Sequence, residues 1–120
     1  MRLNEIQFTE TTPIDGYGPG FFRIGGDVFE GALVTGPSDT LAWGGMTDQA
    51  TLAKLTDDID VLFIGTGNDV CQIPQDLRDA LENAGIGVEI MSSPSAARTY
   101  NVLLSEGRRI AVALLPVTGV

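Results

Sequence analysis

The chain has 120 residues, 43% of them hydrophobic and 19% charged, which is enough to bury one sizeable core and too apolar for a disordered segment. Seven Lys and Arg against 16 Asp and Glu give a formal net charge of -9, which argues against nucleic acid as a partner and against adsorption to anionic lipid. One cysteine and no histidine rule out an internal disulfide, an ordinary His/Cys zinc site and any Ser/His/Asp or Cys/His triad, so no cofactor, no metal and no catalytic residue is expected.

At the amino terminus, Met1 to Glu10 carries one Arg and two Glu without an apolar run, unlike a signal peptide. The longest strongly apolar stretch, Ile110 to Leu115, is too short to cross a bilayer. The expectation is a soluble cytoplasmic protein in a reducing compartment, with no direct membrane insertion. Tyr17 to Gly36 reads as two strands. Phe22 and Ile24 precede the turn Gly25-Gly26-Asp27, and Val28, Phe29, Leu33 and Val34 follow it. Gly36-Pro37-Ser38-Asp39 is a turn, and Leu41-Ala42-Trp43 a short buried strand before Gly44-Gly45.

The second half changes rhythm. Ile59 to Gly65 and Gly87 to Met91 are strand-like and flank a helical segment, as in a βαβ unit. Pro74 suits the first turn of that helix, Leu77, Ala80, Leu81 and Ala84 its buried stripe, and Gly85 its carboxyl-terminal cap. A second helix has Ser93 as N-cap, Pro94 in its first turn, Tyr100, Leu103 and Leu104 as its buried stripe and Gly107 as terminator. Arg109 to Pro116 adds an apolar strand covered on both faces. With no linker, repeat or low-complexity tract, residues 1–120 are expected to form a single domain.

The block from Ser95 through Ala96-Ala97-Arg98-Thr99-Tyr100-Asn101 to Glu106-Gly107-Arg108 resembles the Mth-type domain family, which includes a mitochondrial complex I assembly factor and an adipogenesis-associated protein. Matching features lie in the same order elsewhere: the Gly25-Gly26 hairpin with Phe29, Trp43 after a Gly-Pro turn, the strand from Val61 to Gly67 ending in Gly-Thr-Gly, and Ala111 to Pro116. The resemblance covers nearly the whole chain. It implies an α/β fold of three layers, with a central mixed β-sheet, two to three helices and an additional N-terminal β-hairpin. For function it implies an assembly role in some eukaryotic members and no agreed enzymatic activity. The sequence departs from the family at Ser92-Ser93-Pro94-Ser95, where many members carry an acidic residue or threonine.

Candidate sites follow from the same elements. The Gly65-Thr66-Gly67-Asn68 turn joins a strand to a helix and offers backbone N–H groups to an anion. It lacks the glycine a dinucleotide fingerprint wants at Val70, and the Gly-Lys-Ser/Thr of a P-loop. Ser92, Ser93 and Ser95 gather at the next helix start, with Arg98 one turn inside. If the strands ending at Gly65 and Met91 are parallel neighbours, Thr66, Asn68, Ser93, Ser95 and Arg98 converge on one crevice as a ligand-binding set. The plainer alternatives are a sharp turn, serine N-capping and an arginine paired with a carboxylate. Tyr100 is read as core with its hydroxyl reaching a partner, and Asn101 as a motif residue of open role. Glu106, Arg108 and Arg109 are read as ion pairs around the helix end.

Cys71 is read as a small buried hydrophobe, since no histidine exists to activate it. Asp57-Asp58 falls in a loop, where a carboxylate metal site is the lesser reading. Tyr17, Phe21 and Phe22 either close the hairpin on the core or anchor a partner. Two functions follow. The first is a non-enzymatic interaction or assembly factor that holds a protein client or membrane-complex subunit. The second is a small-molecule or anion-binding domain, with enzymatic activity in its range, that uses the crevice. A homo-oligomer is compatible with either.

Overall fold

The computed structural model describes residues 12–37 and 39–119. In chain order the elements are β1 (Ile14–Gly18), β2 (Phe21–Ile24), β3 (Asp27–Glu30), β4 (Leu33–Thr35), β5 (Thr40–Ala42), α1 (Gln49–Ala53), β6 (Val61–Gly65), α2 (Gln75–Asn83), β7 (Gly87–Met91), α3 (Ser93–Leu104) and β8 (Ile110–Leu114). Strands β1, β2 and β3 form an antiparallel sheet, and a five-stranded mixed sheet has the order β5-β4-β8-β6-β7. In the larger sheet β6 runs parallel to both β7 and β8, while β4 runs antiparallel to β8 and β5.

Period-two alternation at the centre of that sheet builds two cores. Along β8, Ile110, Val112 and Leu114 face one side with Phe63 of β6 and Leu33 of β4, where α3 and the three-stranded sheet cover them through Ala96, Ala97, Tyr100, Phe22 and Ile24. Ala111 and Ala113 face the opposite side with Leu62, Ile64 and Val34, under Leu52 of α1 and Leu77 and Leu81 of α2. The layers are therefore α1 and α2, then the mixed sheet, then α3 with the small sheet. This is the three-layer α/β arrangement expected from the resemblance, with three helices. The small residues on β8 and the Ala96-Ala97 pair on α3 let the layers approach closely.

The amino-terminal third departs from the two-strand expectation. Gly25 and Gly26 both take positive φ, 60° and 88°, as a two-residue turn with the right twist for a hairpin requires, and Ile24 faces Asp27 across it. The second expected strand, however, is divided between sheets. Gly31 adopts φ 84° and donates its N–H to the Gly20 carbonyl, so the chain leaves β3 and enters β4 in the other sheet. β1 adds a third strand that the reading from Tyr17 onward missed, because Gly16 and Gly18 interrupt its apolar alternation.

Local corrections have physical causes. Trp43 lies beyond β5, buried, with its indole Nε1–H donating to the Asp48 carbonyl at 3.1 Å. Helix α1, not foreseen from the sequence, is capped by Asp48, whose carboxylate accepts from the Thr51 N–H, the Thr51 hydroxyl and the Gly44 N–H. Those bonds, the Thr51 hydroxyl first, hold the Asp48 carboxyl below its ordinary range. Pro74 is the N-cap residue of α2 rather than a first-turn residue, and only Leu77 and Leu81 of its expected stripe are buried; Ala80 and Ala84 are exposed. In α3 the N-cap is Ser92, whose hydroxyl accepts from the Ser95 N–H, so Ser93 moves inside the helix. The Gly36 to Asp39 turn is closed by the Gly36 N–H donating to the Asp39 carbonyl; Ser38 and the reading of Met1 to Glu10 lie outside the described residues. Among the described residues no helix is long and apolar enough to cross a membrane.

Candidate functional site

The parallel strands end level with one another. Gly65 pairs with both Met91 and Leu114, so the segments after β6, β7 and β8 leave the sheet along one edge, as the crevice argument requires. Helix α3 starts directly against Gly65, where a Cβ would meet the Ser93 backbone Cα at 2.7 Å. Only glycine admits that approach.

What fills the edge is the chain itself. Ser93 is fully buried, and its hydroxyl accepts the Gly67 N–H at 2.9 Å and donates to the Leu115 carbonyl at 2.6 Å. Its own N–H donates to the Gly67 carbonyl at 2.8 Å. One serine thus ties together the segments following all three parallel strands. Thr66 donates its N–H to the Met91 carbonyl, its hydroxyl donates to the Asp69 carbonyl at 2.6 Å, and that same oxygen accepts the Cys71 N–H. Asn68 exchanges two bonds with Thr118, giving from Nδ2 to Oγ1 and accepting the N–H at Oδ1. The backbone N–H groups of Thr66, Gly67, Cys71 and Ser93 are thus satisfied internally.

Of the five expected ligand residues, Thr66 and Ser93 come together in these internal ties, and Asn68 lies outside them facing the terminal segment. An open depression of about 350 Å³ lies there, lined by Asn68, Cys71, Pro116 and Thr118 and, on the side of the internal ties, by Thr66 and Gly67. Cys71 is exposed on its rim rather than buried, because the 66–73 segment has no regular structure to cover it. Ser95 stays in the capping turn of α3. Arg98 points elsewhere. It lines a separate groove of about 210 Å³ between α3 and β1, with Asp15, Gly16, Tyr17, Pro94 and Asn101. It makes no ion pair among the described residues, contrary to the carboxylate partner considered for it.

Asn101 acquires a definite role. Its carboxamide receives the Ile14 N–H on Oδ1 and gives Nδ2–H to the Ile14 carbonyl, both at 2.9 Å. A side-chain amide thereby acts as a one-residue strand, docking the start of β1 on α3. Tyr100, beside it, is fully buried, but its hydroxyl has no hydrogen-bond partner among the described residues. The Thr35 hydroxyl near it is engaged with Thr40 at 2.8 Å. Burial pushes the Tyr100 pKa up to about 12, with Thr35 opposing. At the other end of α3, Arg109 pairs with Asp60 at 3.5 Å, both well exposed, whereas Glu106 and Arg108 form no ion pair among the described residues. The backbone of Arg108 instead closes the helix by donating to the Leu103 carbonyl past Gly107, at φ 77°.

The outer face of the small sheet holds Phe21, one of the three aromatics singled out from the sequence, and Arg23, which sequence reasoning passed over. The Phe21 ring lies on Gly18, 2.6 Å from where a Cβ would be, and the Arg23 guanidinium lies over Gly16 at 3.8 Å on the same measure. Phe22 joins the core, while Tyr17 is 48% exposed. The signal was the alternation of Gly16 and Gly18 opposite Arg23 and Phe21, two missing side chains covered from the neighbouring strand.

Comparison with known proteins places this arrangement. Residues 14–115 match the family described as protein of unknown function, DUF498/DUF598. An uncharacterised protein of Rhodobacter capsulatus is 48% identical over 119 residues, 99% of this chain and 96% of that protein. NADH dehydrogenase [ubiquinone] 1 alpha subcomplex assembly factor 3 of Danio rerio is 32% identical over 123 residues, 97% of this chain and 71% of the relative. Among solved structures, an outer membrane protein from Bartonella henselae superposes with a TM-score of 0.81 at 36% identity, covering 88% of this chain and 95% of the other. A Bordetella pertussis protein described as an Mth938-like domain gives 0.78 at 26% identity, covering 99% and 94%.

Proposed function

We propose, from the premise that this chain belongs to the DUF498/DUF598 family of Mth938-like proteins of unknown function, that it is a non-enzymatic interaction protein that holds a protein client during assembly of a membrane or respiratory complex. The observation that carries this reading is the similarity to complex I assembly factor 3, which runs through 97% of the chain rather than through one motif. The internal closure of the strand-end crevice supports it as well, since the Ser93 and Thr66 hydroxyls there are taken up by the backbone at Gly67, Leu115 and Asp69. In this reading the chain works as one soluble cytoplasmic domain, alone or as a homo-oligomer, and reaches a membrane complex through a protein.

The test is affinity purification of the tagged protein at native expression in mild detergent, with partners identified by mass spectrometry. Stoichiometric recovery of one complex subunit is expected, together with a fall in that subunit's assembly when the protein is deleted. Unchanged abundance and assembly of every co-purifying protein after deletion overturns the proposal.

A second reading, a small-molecule or anion-binding domain, draws on Arg98, which is exposed in its groove and makes no ion pair among the described residues, although Asp15, whose carboxylate accepts the Gly26 N–H, lines the same groove. It predicts a reproducible small mass excess on the natively purified protein that Arg98→Ala removes. An intact mass equal to the bare chain counts against it.

A further inference from the structure

The client-binding reading leaves open which surface receives the client. Only 7 of the 23 charged side chains are cationic. Two of those seven, Arg98 and Arg23, flank Gly16 of β1 on different sides, with Asp15, whose carboxylate accepts the Gly26 N–H, in the same groove as Arg98. Arg98 comes from α3 across the groove, and the Arg23 guanidinium lies over the glycine from the outer face of the sheet. Neither has an ion-pair partner among the described residues, although the chain carries 16 carboxylates.

Among the described residues the strand between them is an edge: β1 pairs with β2 only. On the other side the Asn101 amide of α3 takes both polar groups of Ile14, pairing with them as a neighbouring strand would. After Ile14 no hydrogen bond from that edge reaches another element among the described residues, and alternate N–H and C=O groups of an edge strand point outward. An irregularity between Ile14 and Gly16 limits any added ladder to a few residues.

We propose that the outer edge of β1 from Gly16 to Gly18 receives an extended segment of the client protein, with a carboxylate of that segment bound between Arg98 and Arg23. Backbone pairing supplies the register, and the half-exposed Tyr17 ring supplies an apolar contact beside it. Charge selects the occupant. A short peptide with one or two carboxylates is drawn to two unpaired arginines, whereas a polyanion or an anionic lipid surface is repelled by the net charge of -9.

The inference rests on the client-binding reading and is tested separately from it. A displayed library of random peptides is selected against the whole protein, and the selected peptides are titrated by NMR against wild type, Arg98→Glu, Arg23→Glu and the control Arg108→Glu. The expected peptides are rich in Asp or Glu, shift the amides of Gly16, Tyr17 and Gly18, weaken with salt, and lose roughly tenfold affinity in each of the first two variants but not in the control. Failure to select any peptide, peptides mapping elsewhere, unchanged affinity in Arg98→Glu, or equal competition by inorganic phosphate or anionic vesicles overturns the proposal. Circular dichroism of each variant separates lost binding from lost fold. Purification from cells then divides the two ideas. A client retained by both charge-reversed variants sinks this site and leaves the assembly role standing, while a wild-type protein whose deletion affects no client sinks the assembly role itself.

Discussion

The carboxyl-terminal edge of the mixed sheet, with Ser93, Thr66 and Asn68, and the groove beside β1, with Asn101 and Arg98, both gather polar side chains, but their polar groups have opposite fates. At the sheet edge Ser93 and Thr66 are turned inward, Ser93 bridging Gly67 and Leu115 and Thr66 reaching Asp69 and Cys71, while the exposed Asn68 holds Thr118. Beside β1, Asn101 satisfies one residue of an edge strand and Arg98 is left unpaired among the described residues. A topological switch point is a place where backbone groups run out of partners, and a ligand is one way to supply them. Here a single buried hydroxyl does so.

The sharpest way to break the closed edge is Gly65→Ala. The new methyl would meet the Ser93 backbone at 2.7 Å and the Leu114 side chain at 2.8 Å, and backbone cannot step aside as a flexible side chain can. The expected loss is about 3 kcal/mol or more in urea-induced unfolding, from separation of α3 and β6. A loss under 1 kcal/mol would mean that the helix start shifts easily and the closure is soft.

Ser93→Ala probes the same edge without adding volume. It leaves the Gly67 N–H and the Leu115 carbonyl without the partner they share, so a destabilisation of about 2 kcal/mol is expected, with faster hydrogen exchange at Gly67. If stability is unchanged and the variant gains affinity for an anion such as phosphate, the edge is a latent site that Ser93 occupies.

On the open side, Asn101→Ala removes two bonds from the strand start at the buried Ile14, and the expected cost is about 1 kcal/mol. The effect should be confined to β1, seen as faster exchange at Ile14 with β6, β7 and β8 unaffected. Uniform loss of protection would show instead that the small sheet and the mixed sheet unfold together.

These contrasts also mark how much the sequence reveals. The βαβ half was legible because its strands are short apolar runs bounded by turn residues, and its helices end at Gly85 and Gly107, both at positive φ. The five crevice residues were chosen on a sound premise, since β6 and β7 are parallel neighbours. Direction was what the sequence could not supply: Ser93 sits one position inside the helix and points into the edge, while Arg98, one turn and a half later, faces β1. The Asn101 clamp was hidden for another reason. Its partner Ile14 is 87 residues away, so nothing local distinguishes it from a solvent-facing asparagine. The glycine-rich amino-terminal third was read least well, because a change of sheet at Gly31 leaves the apolar pattern almost continuous.

Tyr100 sharpens the comparison from within the core that both regions share. A phenolic hydroxyl fully buried without a partner costs free energy, and its neighbour Thr35 is already satisfied by Thr40. Tyr100→Phe is therefore expected to stabilise the fold by up to about 1 kcal/mol, the reverse of the other three substitutions. The sign of its pH dependence is equally definite. With the folded pKa raised to about 12 from an ordinary 10.0, the native state holds the phenolic proton more tightly than the unfolded chain. Its contribution is fully present below pH 10 and is lost as the pH rises from there through about 12. Wild type should thus lose urea stability over that window, and Tyr100→Phe should lose less of it. An equal alkaline loss in both proteins would assign it to other groups, and a destabilised Tyr100→Phe would mean that the hydroxyl is bonded in solution, most simply to Thr35.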